Sequence, residues 1–211
     1  MFTDLHLHSR YSDGTFAPAE IVERARAVDL AAVSLTDHDT MEGCAEMRQA
    51  CAAAGIEFIP GAELTVEHGG QEFHVLAYGV DEACPRLVQE LARFQHIRQR
   101  RIEDMVFRLN EHGILLSTES VFRMAECRSP GRPHVARALV AAKFCKTYDE
   151  AFEKFLKKGR PAWVAKDRFE VSQAVELIHA AGGVAVLAHP GLYQKDHVIP
   201  ELAALGLDGI E

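Results

Sequence analysis

At 211 residues, 48% hydrophobic and 26% charged, the chain has the length and balance of one globular domain, or of one domain carrying an inserted subdomain. It holds no apolar run near the roughly 18 residues of a membrane span, which excludes a helical membrane protein, and no secretory signal is expected. A formal charge of −8 excludes general attraction of nucleic acid by the whole surface, yet leaves room for an anionic substrate wherever bound cations invert the local field.

The chain opens with a strand. Over residues 2–8, Leu5 and Leu7 alternate with His6 and His8, and this period of two puts both imidazoles on one face within reach of a common cation. Stacked histidines suit a core face poorly, because each ring brings a donor and an acceptor that need partners. Asp13, just before Gly14, supplies an oxygen after a turn. Residues 17–29 predict a helix, with Ile21, Val22, Ala25 and Val28 on one stripe and Pro18 in its first turn. Residues 31–36 read as a buried strand ending in Asp37-His38-Asp39, and 41–54 as a helix stopped by Gly55. A third strand, 57–60, runs into Gly61-Ala62-Glu63. His68-Gly69-Gly70-Gln71 reads as a hairpin turn, and residues 72–80 return through His74.

This alternation predicts parallel strands with helices outside. From residue 85 to about 158 the pattern is nearly all helical, with Arg98, Arg100, Arg101 and Arg108 expected on exposed faces. A helix over 171–181 ends at Gly182-Gly183, and a strand over 184–188 leads to His189-Pro190. A short helix at 202–205 and the start of a strand at 208–211 follow. The expected organisation is an α/β barrel begun by residues 1–84, a mainly helical insertion or cap over 85–165, and a return to the barrel over 166–211. The five cysteines are odd in number and form no CxxC pair, so they are expected to be reduced thiols of a cytoplasmic protein.

His6, His8, His38, Glu63 and His189 are expected on, or just past, carboxyl ends of core strands, where α/β folds gather ligands; His74 lies within the fourth strand. Imidazole and carboxylate donors without thiolate suit Zn, Mn or Fe. With Asp13, seven side chains exceed what one tetrahedral ion needs, so two or three ions are expected, with Glu63 suited to bridge a pair. Paired cations can clamp a nucleophile and an ester oxygen together, which is the chemistry of phosphoester hydrolysis.

The motifs Asp4-Leu5-His6-Leu7-His8-Ser9, Ser12-Asp13-Gly14, Leu35-Thr36-Asp37-His38-Asp39, Gly61-Ala62-Glu63, Phe73-His74-Val75-Leu76-Ala77-Tyr78 and Ala188-His189-Pro190 resemble, in order, those of the polymerase-and-histidinol-phosphatase (PHP) family. The resemblance implies a distorted (β/α)7 barrel, a metal-dependent phosphoesterase, and ligation by His6, His8, Asp13, His38, Glu63, His74 and His189. It implies two or three divalent ions, manganese first, with Zn, Fe or Mg as alternatives. Gly131-Arg132-Pro133-His134 and Lys158-Gly159-Arg160-Pro161-Ala162-Trp163 resemble the cap of the TrpH/YciV-like branch, which acts on nucleoside 3′,5′-bisphosphates and, as 5′-to-3′ exonucleases, on short RNA. Arg132 and His134 are accordingly expected to grip substrate phosphate, and Arg10 and Tyr11 to touch a second phosphate or a base. One departure stands out. The family's late Asp-x-His pair is absent, so the barrel is expected to be C-terminally incomplete in this chain.

Asp37 is expected to orient the His38 ring, with helix capping by Asp37 or Asp39 as the alternative. His68 should sit in an exposed turn, His96, His112 and His179 on ordinary helical surface, and His197 near the mouth of the site. Lys166 and Arg168 should lie on a solvated face. The expected reaction removes the 3′-phosphate of a nucleoside 3′,5′-bisphosphate. The alternatives are 5′-to-3′ trimming of RNA, histidinol-phosphate hydrolysis, and a non-catalytic metal- or nucleotide-binding module. The expected partner is a small nucleotide phosphate or short RNA, with no membrane and no obligate protein partner.

Overall fold

The computed structural model describes residues 2–167 and 169–211; the expectation for Arg168 lies outside them. Six strands form one curled sheet in sequence order: β1 (Phe2–Leu7), β2 (Leu30–Leu35), β3 (Glu57–His68), β4 (Gln71–Tyr78), β5 (Val184–Leu187) and β6 (Gly209–Ile210). Between them run α1 (Pro18–Ala27), α2 (Cys44–Ala54), α3 (Pro85–Glu111), α4 (Thr118–Ala125), α5 (Arg132–Ala141), α6 (Tyr148–Ala151), α7 (Val171–Ala180) and α8 (Ile199–Ala204). The result is an α/β half-barrel of the expected PHP type. No described helix is long and apolar enough to cross a membrane.

The parallel expectation holds for β1–β2, β2–β3 and β5–β6, but β4 runs antiparallel to both its neighbours. The cause is local. Only Gly69 and Gly70 separate β3 from β4, and so short a connection can return the chain only as a hairpin. Both glycines have positive φ, 58° and 80°, as a two-residue turn matched to strand twist requires. β3 is also longer than expected, so Glu63 lies in its middle rather than at its end. The pairs Glu63↔Leu76 and Thr65↔His74 put Glu63, Thr65, Glu72 and His74 on one face. Leu64, Val66, Phe73, Val75 and Ala77 fill the other, packed against α7 and the start of α3.

Two further apolar clusters flank this core. Ile21, Val22 and Ala25 of α1 meet Met47 and Cys51 of α2 over Val33 and Leu35 of β2. The insertion has its own cluster, from Ile102, Met105 and Leu109 of α3 through Val121, Val135 and Leu139 to Leu156. α3 is about 40 Å long at 1.5 Å per residue, and its stripe joins two of the cores: Leu87, Leu91 and Phe94 to the barrel, Ile102, Met105 and Leu109 to the insertion. Arg98 and Arg101 lie within that stripe, 9% and 7% exposed, which overturns their expected exposure. Arg98 Nε donates to Asp39 Oδ2 at 2.5 Å and Arg101 Nε to the Val164 carbonyl at 3.0 Å. Arg100 and Arg108 are exposed as expected.

Candidate metal centre

Glu63 is the hub. Its carboxylate is 1% exposed, and five imidazoles surround it. The two oxygens face different groups. Oε2 lies 3.0 Å from His38 Nδ1, 3.2 Å from His8 Nε2 and 3.5 Å from His6 Nε2. Oε1 lies 2.8 Å from His74 Nδ1 and 3.0 Å from His189 Nε2. Asp13 extends the first lobe, at 3.5 Å from His8 Nδ1 and 3.7 Å from His38 Nε2. The seven side chains singled out in the sequence therefore converge on one place.

Local backbone explains the convergence. His38 continues the β2 ladder: Glu63 N–H donates to the Asp37 carbonyl at 3.1 Å, and Asp39 N–H to the Glu63 carbonyl at 3.0 Å. Ala188 N–H donates to the His74 carbonyl at 3.0 Å, setting His189 beside β4. His189 itself has φ 34°, a left-handed conformation costly for a residue with a Cβ. Asp37 is 1% exposed and does not touch the His38 ring. It accepts from Ser9 N at 2.7 Å and from the Ser9 and Ser12 hydroxyls, each at 2.6 Å. The expected orientation of His38 by Asp37 is thus replaced by pinning of the loop after β1, and Ser12 Oγ, 3.3 Å from His8 Nδ1, carries that constraint to a different histidine.

The electrostatics suit cations. Burial alone would raise the Glu63 carboxyl, but the imidazoles around it, His189 first and then His38, His6 and His74, outweigh it and hold it far below the usual carboxylate range. Burial likewise opposes the lowering of Asp13, which His38 and His8 nevertheless achieve. Burial pushes His38 down to about 4 against the pull of Glu63, so its ring is neutral at pH 7. His6 and His74 are raised instead, because Glu63 outweighs the burial that lowers them.

Protein partners alone do not satisfy these rings. His6 Nε2 and His8 Nε2 stand 3.1 Å apart. His38 Nδ1, although near Glu63, is off the line of a hydrogen bond, and it and His189 Nδ1 are buried without a partner. Imidazole and carboxylate donors crowded in this way fit divalent ions. Three triads have donor atoms close enough for a common ion: His6, His8 and Glu63; His8, Asp13 and His38; and His38, Glu63 and His74.

Sequence reasoning missed several residues at the centre. Glu211 brings both carboxylate oxygens to His6 Nδ1, at 3.0 and 3.1 Å, and accepts His189 N–H at 2.8 Å. A carboxylate behind a ligating imidazole fixes its tautomer, and an acidic residue at the end of the last strand was the available signal. Tyr193 Oη accepts His74 N–H at 2.9 Å, and its ring lies 5.4 Å from that of His189. The insertion grips the ligand loops: Arg137 donates to the Asp13 carbonyl at 2.7 Å, and Ser129 to the His38 carbonyl.

The expected phosphate contacts divide. Arg132 lines an open cleft with Lys158, Trp163, Lys166 and Glu72. His134 is only 1% exposed, and its Nδ1 accepts Gly131 N–H at 3.0 Å, so it caps its own helix and presents almost no surface to a ligand. Arg10 and Tyr11 turn towards α2, where both reach Glu46, at 3.5 and 3.3 Å. Lys166 is not on a solvated face: Nζ lies 3.1 Å from Glu72 and 3.2 Å from Thr65 Oγ1. His68 sits at the end of β3, 3.4 Å from Glu201, and His179 pairs with Asp208 at 2.7 Å. His197 lies exposed on a short helical turn.

A curled α/β sheet that gathers imidazoles and carboxylates about one buried glutamate defines a metal-dependent hydrolase. The PHP domain model matches residues 4–179, and the chain belongs to the PHP family. It is 37% identical over 216 residues to the 3′,5′-nucleoside bisphosphate phosphatase of Chromobacterium violaceum, covering 99% of this chain and 75% of that protein. It is 33% identical to a 5′-3′ exoribonuclease of Haemophilus influenzae, covering 99% and 77%. An amidohydrolase from Chromobacterium violaceum, solved with sulfate bound and no metal, superposes with a TM-score of 0.91 at 35% identity over 100% of this chain and 76% of that one. A protein from Bifidobacterium adolescentis assigned as a metal-dependent phosphoesterase gives 0.93 at 31%, over 100% and 77%. The chain spans about three quarters of the length of these relatives and is a metal-dependent phosphoester hydrolase.

Proposed function

We propose that this chain hydrolyses a nucleotide phosphomonoester, the 3′-phosphate of a nucleoside 3′,5′-bisphosphate, leaving the 5′-nucleotide. The observation that carries the reading is the division of Glu63: one buried carboxylate presents an oxygen to each of two groups of imidazoles, as a bridge between cations requires. His6, His8, Asp13 and His38 would hold ions on the Oε2 side, and His74 and His189 on the Oε1 side, for two or three in all, manganese first. Bound there, such ions would supply charge neutralisation at phosphoryl oxygens and a water acidic enough to be deprotonated near pH 7. The protein's own part is placement. His38 offers a lone pair at neutral pH without shedding a proton, Glu63 stays ionised, and Arg132 faces the cleft from which an anion would approach.

In this reading residues 1–84 and 166–211 supply the barrel and 85–165 the cap, which has an apolar cluster of its own. The free cysteines accord with a cytoplasmic protein. A second reading, 5′-to-3′ trimming of short RNA, is favoured by the exoribonucleases among the relatives, at 33% and 32% identity.

The test is phosphate or nucleotide release by the full-length protein, loaded with Mn, Zn or Mg, from a nucleoside 3′,5′-bisphosphate, a 5′-phosphorylated oligoribonucleotide and histidinol phosphate. Glu63→Gln should lower turnover by more than about a hundredfold, beyond the loss usual for residues one step behind a ligand, and should reduce the ion count. Near-normal turnover by metal-stripped protein would overturn the reading.

A further inference from the structure

The loop after β1 spends its hydroxyl protons on one buried acid. Asp37 Oδ1 accepts Ser9 N–H at 2.7 Å, which makes that oxygen an acceptor towards Ser12 as well. Ser12 Oγ donates to it at 2.6 Å, and Ser9 Oγ donates to Oδ2 at the same distance. These are the lengths of charge-assisted bonds from a hydroxyl to a carboxylate. A serine has a single hydroxyl proton, so each oxygen then has only lone pairs to offer. Ser9 Oγ uses one to accept Tyr11 N–H at 3.2 Å. Ser12 Oγ faces His8 Nδ1 at 3.3 Å, where it can act only as an acceptor. Ser9, Ser12 and Asp37 are all buried, which keeps solvent from competing, and Ser12 N–H is itself tied to the Ser9 carbonyl at 3.1 Å.

This direction of donation decides the state of the ring. A neutral imidazole carries one ring proton. With that proton on Nδ1 of His8, Nε2 keeps its lone pair, 3.2 Å from Glu63 Oε2 and 3.1 Å from His6 Nε2. His6 is held in the same sense by a different group, since Glu211 meets its Nδ1 with both carboxylate oxygens. Three acceptors thus face one another within 3.5 Å, and a cation between them relieves their repulsion. The rival partner for His8 Nδ1 is Asp13 Oδ1, which is farther off, 3.5 Å from both that nitrogen and Ser12 Oγ.

We propose that Ser12 is a positioning residue of the metal centre. With its proton committed to Asp37, it holds His8 as the Nδ1–H tautomer and makes Nε2 the ligand atom. His8 then serves the ion beside His6 and Glu63, while Asp13 and His38 serve a separate one. This role rests on the metal-dependent reading above, and it concerns how an ion is seated rather than which ester is cut.

Long-range proton–nitrogen NMR spectra of full-length protein, isotopically labelled at histidine and loaded with zinc as a diamagnetic probe, read the tautomer. The expected result is a proton on His8 Nδ1 and the ion on Nε2. Ligation through Nδ1, or a proton on Nε2, overturns the assignment without recourse to any variant. Ser12→Ala should weaken zinc binding about 10- to 100-fold in competition with a chelator, the usual loss for a group behind a ligand. Ser12→Thr, which keeps the hydroxyl, should retain most of the affinity. Wild-type zinc affinity together with an unchanged His8 spectrum in Ser12→Ala would give the role to Asp13 and overturn the proposal, as would a wild-type protein that takes up no zinc. A wild type that shows the expected spectrum yet hydrolyses none of the phosphoesters above supports the role of Ser12 and sinks the phosphoesterase reading alone.

Discussion

Among single residues, His134 shows how burial decides between a ligand and a prop. Burial, with Arg137 nearby, lowers its imidazole to about 4, and Nδ1 caps α5. Between pH 4 and 6.5 the unfolded chain therefore binds a proton that the folded chain refuses. Stability rises with pH through that window and is lost as pH falls, by about 3 kcal/mol if this residue acted alone. His134→Gln should flatten that part of the profile. Urea denaturation of both proteins at pH 7 and pH 4 measures it, and equal losses in the two would contradict the assignment. The seven candidate ligands were legible because metal chemistry needs unusual residue types at positions that strand periodicity reveals. Ser9, Ser12, Tyr193 and Glu211 were not: serine, tyrosine and glutamate are common, and only proximity across the fold gives them work here.

Among elements, the loop after β1 is the tightest. A Cβ on Gly14 would stand 2.2 Å from the His8 carbonyl oxygen and 2.8 Å from that of Ser9, so no side chain fits while the loop is closed. Gly14→Ala should open it, move Asp13 away from His8 and His38, and cost about 1–3 kcal/mol, as overpacking does elsewhere. Ion counting on the purified variant should show reduced occupancy; full occupancy would refute the link between Gly14 and Asp13. The helices α1, α2 and α7 and the hairpin turn could be read from periodicity, Pro18, Gly55 and Gly69-Gly70. The reversal of β4 followed from that turn, yet a rule drawn from alternating strands and helices hid it. Glu63 was expected just past the end of a strand over 57–60, whereas β3 runs on to His68.

At the scale of the molecule, the insertion is joined to the barrel through polar contacts inside an apolar seam. Arg98 falls four residues after Phe94 and four before Ile102, in register with the buried stripe, and that register was the signal that charge obscured. Its pair with Asp39 is nearly dry, the side chains being 10% and 6% exposed. Removing one partner strands the other, so Arg98→Met should cost about 3–5 kcal/mol, with Arg98→Met/Asp39→Asn recovering part of the loss. Chemical denaturation of the two variants decides it; a double variant no more stable than the single one would mean that Arg98 acts through packing alone.

The glycine hairpin also bears on how the chain folds. Glu63 and His74 are 11 residues apart, whereas Glu63 and His189 are separated by 126. Closing the longer loop costs about 2 kcal/mol more chain entropy, from the logarithmic dependence on length. Of the five imidazoles around Glu63, His74 is therefore the one a nascent chain delivers at least cost, and the other rings arrive at a landing already prepared for a cation.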